Sequence, residues 1–174
     1  MQKEQITHAA VAVLIDRGLA EWTVASVAEK AGCAKGLVHY HHKTKEALLT
    51  AVAEALATTR ANQRIAALKK SGTGALDHLW GVLEKSAKSG RTRAYLSLLG
   101  HSSSLVRQAA RLPPGTEKAA AEAIGRAFAI DRPDETVVRS LWAALDGLEE
   151  ALLADSTDRE ALQAAFHQVW LMIL

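Results

Sequence analysis

Residues Thr23 to Leu49 read TVASVAEKAGCAKGLVHYHHKTKEALL. Val24, Val27, Ala28 and Ala31 recur at offsets of three and four, so they line one side of a helix of about two turns. Thr23, just ahead of that stripe, carries a hydroxyl that can accept a hydrogen bond from an unpaired amide of a first helical turn, and Gly32 can take the positive φ that closes a helix. The spacing predicts helix, tight turn, helix, and then entry into a long third helix. A hairpin of this kind holds its second helix where it can enter a DNA major groove.

The composition of that second helix suits the task. Residues 30 to 45 hold Lys30, Lys35, Lys43 and Lys45 and no acid, a local charge of +4 before His39, His41 and His42 are counted. Ala34, Lys35 and Gly36 are small or flexible and allow close approach of the backbone to a groove. Tyr40, His41 and Lys45 are donors of the kind that bind phosphate oxygens. Composition alone leaves open a weakly basic, solvated helical hairpin.

The order of residues resembles the TetR family of bacterial transcriptional regulators. Thr23, Val27, Ala28, Ala31, Gly32, Cys33, Gly36, Tyr40, His41, Lys45 and Leu48 fall on the family's run, which covers about the first fifty residues. Departures are Cys33 and Ala34, where an apolar residue and a serine are common, His39 in place of a tyrosine, and His42 in place of a buried phenylalanine. The resemblance implies an all-α chain: a three-helix helix-turn-helix head, residues 1–47, joined by a long helix to a helical effector-binding and dimerisation body, residues 48–174. It also implies a homodimer through the last two helices.

Length and charge are compatible with that division. The chain has 174 residues, 49% of them hydrophobic, enough for a sizeable core, and a formal charge of +2. So small a net charge means that attraction to nucleic acid must come from a local patch. Cys33, the single cysteine, is expected to pack rather than to react. The apolar run of residues 9–15 is ended by Asp16 and Arg17, too soon for a signal peptide or membrane span, and a cytoplasmic location with no membrane partner is expected.

In chain order, Ile6, Ala10, Val13 and Leu14 share one face of a first helix that Gly18 stops, and Trp22 is expected to pack beneath the hairpin. The long helix is expected from Thr44 to about Lys70, near 40 Å at about 1.5 Å per residue. Helices carrying Leu79 and Leu83, Tyr95 and Leu98, Val106 and Ala110, and Ile124 and Phe128 follow, separated by glycine, serine and proline signals. Residues 134–154 bear Val138, Leu141, Trp142, Leu145, Leu148 and Leu152. Thr157 to Glu160 fits a capping box for a last helix bearing Leu162, Ala165, Phe166, Val169, Trp170 and Ile173. The width of these two stripes suggests a four-helix bundle with a second copy, so that a charge at Leu145 or Phe166 should give monomers or aggregates.

Other chemistry finds little support. His39, His41 and His42 lie at spacings that do not converge on a metal, so no metal and no cofactor are expected. Phosphate-loop, H-E-x-x-H and G-x-S-x-G motifs are missing, and an enzyme would have to assemble distant residues such as His78, Tyr95, His101 and Asp146. The expected function is a ligand-responsive regulator, a repressor by the family's usual outcome, whose homodimer binds a palindromic operator in double-stranded DNA. Lys35 and Gly36 are expected in the major groove, Ala34 and His39 at its edge, and Thr23, Tyr40, His41 and Lys45 on phosphates. Trp80, Tyr95, His101, Phe128 and Trp142 are the candidates for a small, hydrophobic or amphipathic effector. The alternative is a helical interaction protein that binds nucleic acid, or a protein, without sequence choice.

Overall fold

The computed structural model describes residues 2–154 and 158–172. Among these the chain forms ten helices: α1 Gln2–Arg17, α2 Val24–Ala31, α3 Lys35–His41, α4 Lys45–Ala67, α5 Thr73–Lys88, α6 Arg91–Leu99, α7 Ser104–Ala109, α8 Thr116–Phe128, α9 Glu135–Ala151 and α10 Arg159–Leu171. No helix among the described residues is long and apolar enough to cross a membrane.

The helices divide into two compact units, Met1–Thr59 with Arg93–Pro113, and Arg60–Thr92 with Pro114–Leu174. In the first, α1, α2 and α3 pack on one another. Their core is Ile6, Ala10, Val13, Leu14, Trp22, Val27, Ala28 and Val38, and it continues into Leu48, Leu49, Val52 and Ala53 of α4 and into Ala94, Tyr95, Leu98, Val106 and Ala110. Trp22 is fully buried, and its indole N–H donates to the Ala10 carbonyl at 2.9 Å. That bond supplies the partner a buried indole requires. Cys33 is half-buried against the same core.

In the second unit α9 is the shared neighbour of α5, α8 and α10. Leu79, Leu83, Ile124, Val138, Leu145, Phe166 and Trp170 are buried there. Trp80 meets Phe166 with ring centroids 5.4 Å apart, and Phe128 meets Trp170 at the same separation. Four charges are enclosed in this apolar setting. The guanidinium of Arg64 donates to Asp146 at 2.7 Å and to Glu149 at 3.0 Å, while that of Arg60 donates to Asp146 at 2.8 Å and also to Glu149. Arg64 and Glu149 are each 1% exposed. The Arg64 guanidinium carbon also lies 5.9 Å from the centre of the Trp142 ring. Burial, then the charge of Arg60, pulls the Arg64 pKa down; Glu149 and Asp146 pull it back up.

Several element ends differ from the expectation. The long helix stops at Ala67, which makes its 23 residues about 34 Å rather than 40 Å. Lys69 and Lys70 follow it instead of forming its last turn. The eighth helix, expected over residues 116–130, ends at Phe128, where Ala129 adopts φ 53° and its amide donates to the Gly125 carbonyl. The last helix is capped by Asp158, whose carboxylate accepts from the amides of Glu160 and Ala161 at 3.0 and 3.1 Å. Thr157 and Ile173 lie outside the described residues.

Candidate nucleic-acid interface

The hairpin is built by its caps. The Thr23 hydroxyl accepts from the Ser26 amide at 3.1 Å, and the Ser26 hydroxyl oxygen accepts from the Thr23 amide, also at 3.1 Å. This is a reciprocal cap with serine in the place that glutamate commonly takes. At the other end of α2, Gly32 adopts φ 65° and ψ 36°, and its amide returns to the Ala28 and Glu29 carbonyls. A side chain there would be strained, so the turn into α3 depends on glycine. The third helix opens on Ala34 with no side-chain cap. Where the resembling family has a serine, this chain forgoes about 1 kcal/mol of capping.

Val38 anchors α3 to the core, with 1% exposure, and Leu37 packs beside it. The residues between and around them face outward. Ala34, Lys35, Gly36, His39 and Tyr40 are all exposed, Tyr40 at 69% although it is large and aromatic. Gly36 has no positive φ, and a β-carbon built on it would meet nothing within 4 Å. Glycine inside a helix costs about 0.8–1.0 kcal/mol relative to alanine, and no contact within the fold requires it at 36, just as none requires it at 81 or 147.

The lysines are not equivalent. Lys30 is paired with Asp16 at 3.3 Å, so its charge belongs to the contact between α1 and α2. Lys43 holds its ammonium 5.2 Å from the Tyr40 ring centre, and Lys45 holds its own 5.8 Å from that of Trp22. These ring contacts restrain two flexible cations on either side of the turn that joins α3 to α4. Thr44 caps α4 by accepting from the Ala47 amide at 3.0 Å.

His41 and His42 separate into different environments. His41 is half-buried with Nε2 sealed and unpartnered, so any phosphate contact from it falls to Nδ1. His42 is 4% exposed, its Nε2 also lacks a partner, and its amide donates to the Val38 carbonyl at 2.8 Å. Burial is the main cause holding its pKa below 6.5, with Lys3 and His41 adding repulsion. His42 thus occupies a core position at the foot of α3. Among the described residues no group of three histidine, cysteine, aspartate or glutamate side chains is placed to hold a metal.

The phosphate role expected for Lys45 has a direct consequence: Lys45→Ala should weaken binding to every DNA duplex about equally and lower the slope of log affinity against log salt by about one. Titrations of two unrelated duplexes over a salt series check this. A loss confined to one sequence would give Lys45 a base contact instead.

The effector candidates are distributed over both units. Trp80, Phe128 and Trp142 lie in the second, each against a partner described above, whereas Tyr95 and His101 lie in the first. The His101 Nδ1 accepts from the Ser103 amide at 3.0 Å, and its carbonyl accepts from Arg107 at 2.6 Å. None of the five lines a described cavity.

Residues 6–52 match the family model described as bacterial regulatory proteins, tetR family. A comparison with curated proteins gives no match. Among solved structures, a tetR-family transcriptional regulator from Streptomyces coelicolor is 16% identical with a TM-score of 0.74, covering 98% of this chain and 81% of that one. A TetR transcriptional regulator from Rhodococcus sp. RHA1 is 18% identical with a TM-score of 0.65, over 99% and 95% of the two chains. The multidrug binding protein EbrR, complexed with ethidium, is 23% identical with a TM-score of 0.70, over 97% and 98%. At these identities the likeness is one of fold.

Proposed function

We propose that this chain, whose residues 6–52 are a TetR-family head, is a cytoplasmic repressor that binds a palindromic operator as a homodimer and leaves it when a small hydrophobic or amphipathic effector binds. Residues 1–47 do the DNA binding and residues 48–174 the effector binding and dimerisation. The observation that carries the proposal is α3 itself: a helix anchored by Val38 that turns Lys35, Gly36, His39 and Tyr40 outward. Lys35 and Gly36 enter the major groove with Ala34 and His39 at its edge, and Thr23, Tyr40, His41 and Lys45 fix register on phosphates. Trp80, Tyr95, His101, Phe128 and Trp142 remain the effector candidates. Binding of EbrR to ethidium and to malachite green supports a small-molecule response in a body of this fold. Selection from a pool of random duplexes tests the proposal: a two-fold symmetric motif should emerge, and recovery of unrelated sequences would favour nucleic-acid binding without sequence choice.

For the dimer, the structure redirects the choice of residues. Leu145 and Phe166 are both 0% exposed within one chain, so glutamate at either position should unfold the protomer by burying an unpaired charge. A groove between α9 and α10, lined by Val137, Leu141, Ala144, Val169 and Met172, leaves apolar surface uncovered among the described residues. Ala144→Glu should therefore give folded monomers while Leu145→Glu gives unfolded chain. Light scattering and circular dichroism of the two variants check this; a folded dimer carrying Ala144→Glu would exclude this face as the interface.

A further inference from the structure

A second cavity carries charge of one sign only. Gln63 and Ala66 of α4, His78, Val82 and Lys85 of α5 and Arg91 of α6 surround a groove of about 230 Å³ within the second unit. Its apolar lining comes from Ala66, Ala67 and Val82, and its basic lining from Lys85, Arg91 and His78, with no carboxylate. None of these three has an ionic partner among the described residues. The acids of α5 are directed elsewhere: Asp77 and Glu84 fall roughly 100° round the helix from the row His78, Val82, Lys85 at about 3.6 residues per turn, and Glu84 is engaged with Lys88 and Arg159. Ser86, also on the lining, is held by Thr92 at 3.0 Å.

The sequence explains how this comes about. Residues 55–76 and 85–116 contain no aspartate or glutamate, and they supply Arg60, Arg64, Lys69 and Lys70, and Lys85, Lys88, Arg91, Arg93, Arg107 and Arg111. Both windows are longer than the acid-free run of the hairpin. Gln63, Ala66 and Ala67 come from the first, and Lys85, Ser86 and Arg91 from the second. The first segment gives the groove neutral lining, its Arg60 and Arg64 being bonded to Asp146 and Glu149, and the second gives it Lys85 and Arg91 without an acid between them, an arrangement that raises the local concentration of anions.

We propose that this groove binds an amphipathic anion: a short alkyl or aryl chain on the alanine and valine lining, with a carboxylate or phosphate head between Lys85 and Arg91. Its volume is below the about 300–1,000 Å³ of sites for drug-sized ligands, which fits a short chain. The site deepens the effector reading above at a place that none of the five candidates named there lines, and depends on that reading only for the DNA response, not for binding. It also gives the ligand the charge opposite to the dyes in the EbrR complexes.

Octanoate, octylammonium and inorganic phosphate, titrated calorimetrically into the full chain, test it. Octanoate should bind, octylammonium should bind at least tenfold more weakly, and phosphate should compete with octanoate. Lys85→Gln and Arg91→Gln, each checked for an unchanged melting temperature without ligand, should each weaken octanoate about tenfold, the loss of one charge-assisted contact. Octylammonium binding as tightly as octanoate would overturn the proposal, as would octanoate binding that neither variant changes or no octanoate binding at all. Operator affinity, measured separately with octanoate, distinguishes the two readings: binding that both variants weaken supports the groove even where the DNA is unaffected, and only the effector role then falls.

Discussion

Glu149→Gln should destabilise the chain by about 3–5 kcal/mol, the range for removing one partner of a buried ion pair. The variant keeps the shape of the side chain and deletes its charge, so that of the two carboxylates bonded to both Arg60 and Arg64 only Asp146 stays ionised. The Arg64 side chain is only 1% exposed, so water cannot take over the lost partner's role. Urea denaturation measures the loss. Arg64→Met combined with Glu149→Leu should recover most of it, because the pair is then replaced by apolar volume and the Arg60 to Asp146 bond at 2.8 Å remains intact. Asp146→Asn should cost less than Glu149→Gln, since the Asp146 side chain is 33% exposed against 1% for Glu149. A Glu149→Gln variant within 1 kcal/mol of the parent would show that the four charges do not act as a unit.

His42→Phe should stabilise the head by about 1–3 kcal/mol at neutral pH, the cost of a buried polar atom without a partner, and by more in acid. The sign follows from the depressed pKa. With the folded value below 6.5, the unfolded chain takes up a proton that the folded chain refuses. Stability is complete above the unfolded pKa and falls as pH drops below it, by about 1.36 kcal/mol per unit until the folded pKa is reached. Melting curves of the two proteins at about pH 5.5 and pH 8, spanning the range in which histidine titrates, check this. Equal acid sensitivity would place the titrating group elsewhere. DNA sequence preference should be the same in both, because His42 points into the core.

The head was legible from its sequence because its determinants are local. Thr23, Gly32 and the stripe from Val24 to Ala31 act over a few residues, so spacing alone places the cap, the turn and the outward face. His42 was legible as an anomaly, a polar side chain at an apolar position. The second unit was less so. Leu145 and Phe166 lie on stripes too wide for one neighbour, and a stripe does not reveal which part faces its own protomer. Arg64 and Glu149 are 85 residues apart, and each reads as an ordinary surface charge until the fold closes over both. Lys69 and Lys70 mimic a helical last turn, yet the chain leaves the helix two residues earlier. The groove beside α5 escaped for a similar reason: acid-free runs are visible along the chain, but their convergence is not.

The central claim is that α3 reads sequence. Its most direct test is a competition at moderate salt between a symmetric duplex recovered by selection and the same bases scrambled, performed with the wild-type chain and with Lys35→Ala. The wild type should prefer the symmetric duplex by at least about 10³-fold, the lower end for specific over non-specific binding, and Lys35→Ala should lose most of that ratio while still binding both. A wild type that binds the two duplexes within tenfold of each other would contradict it.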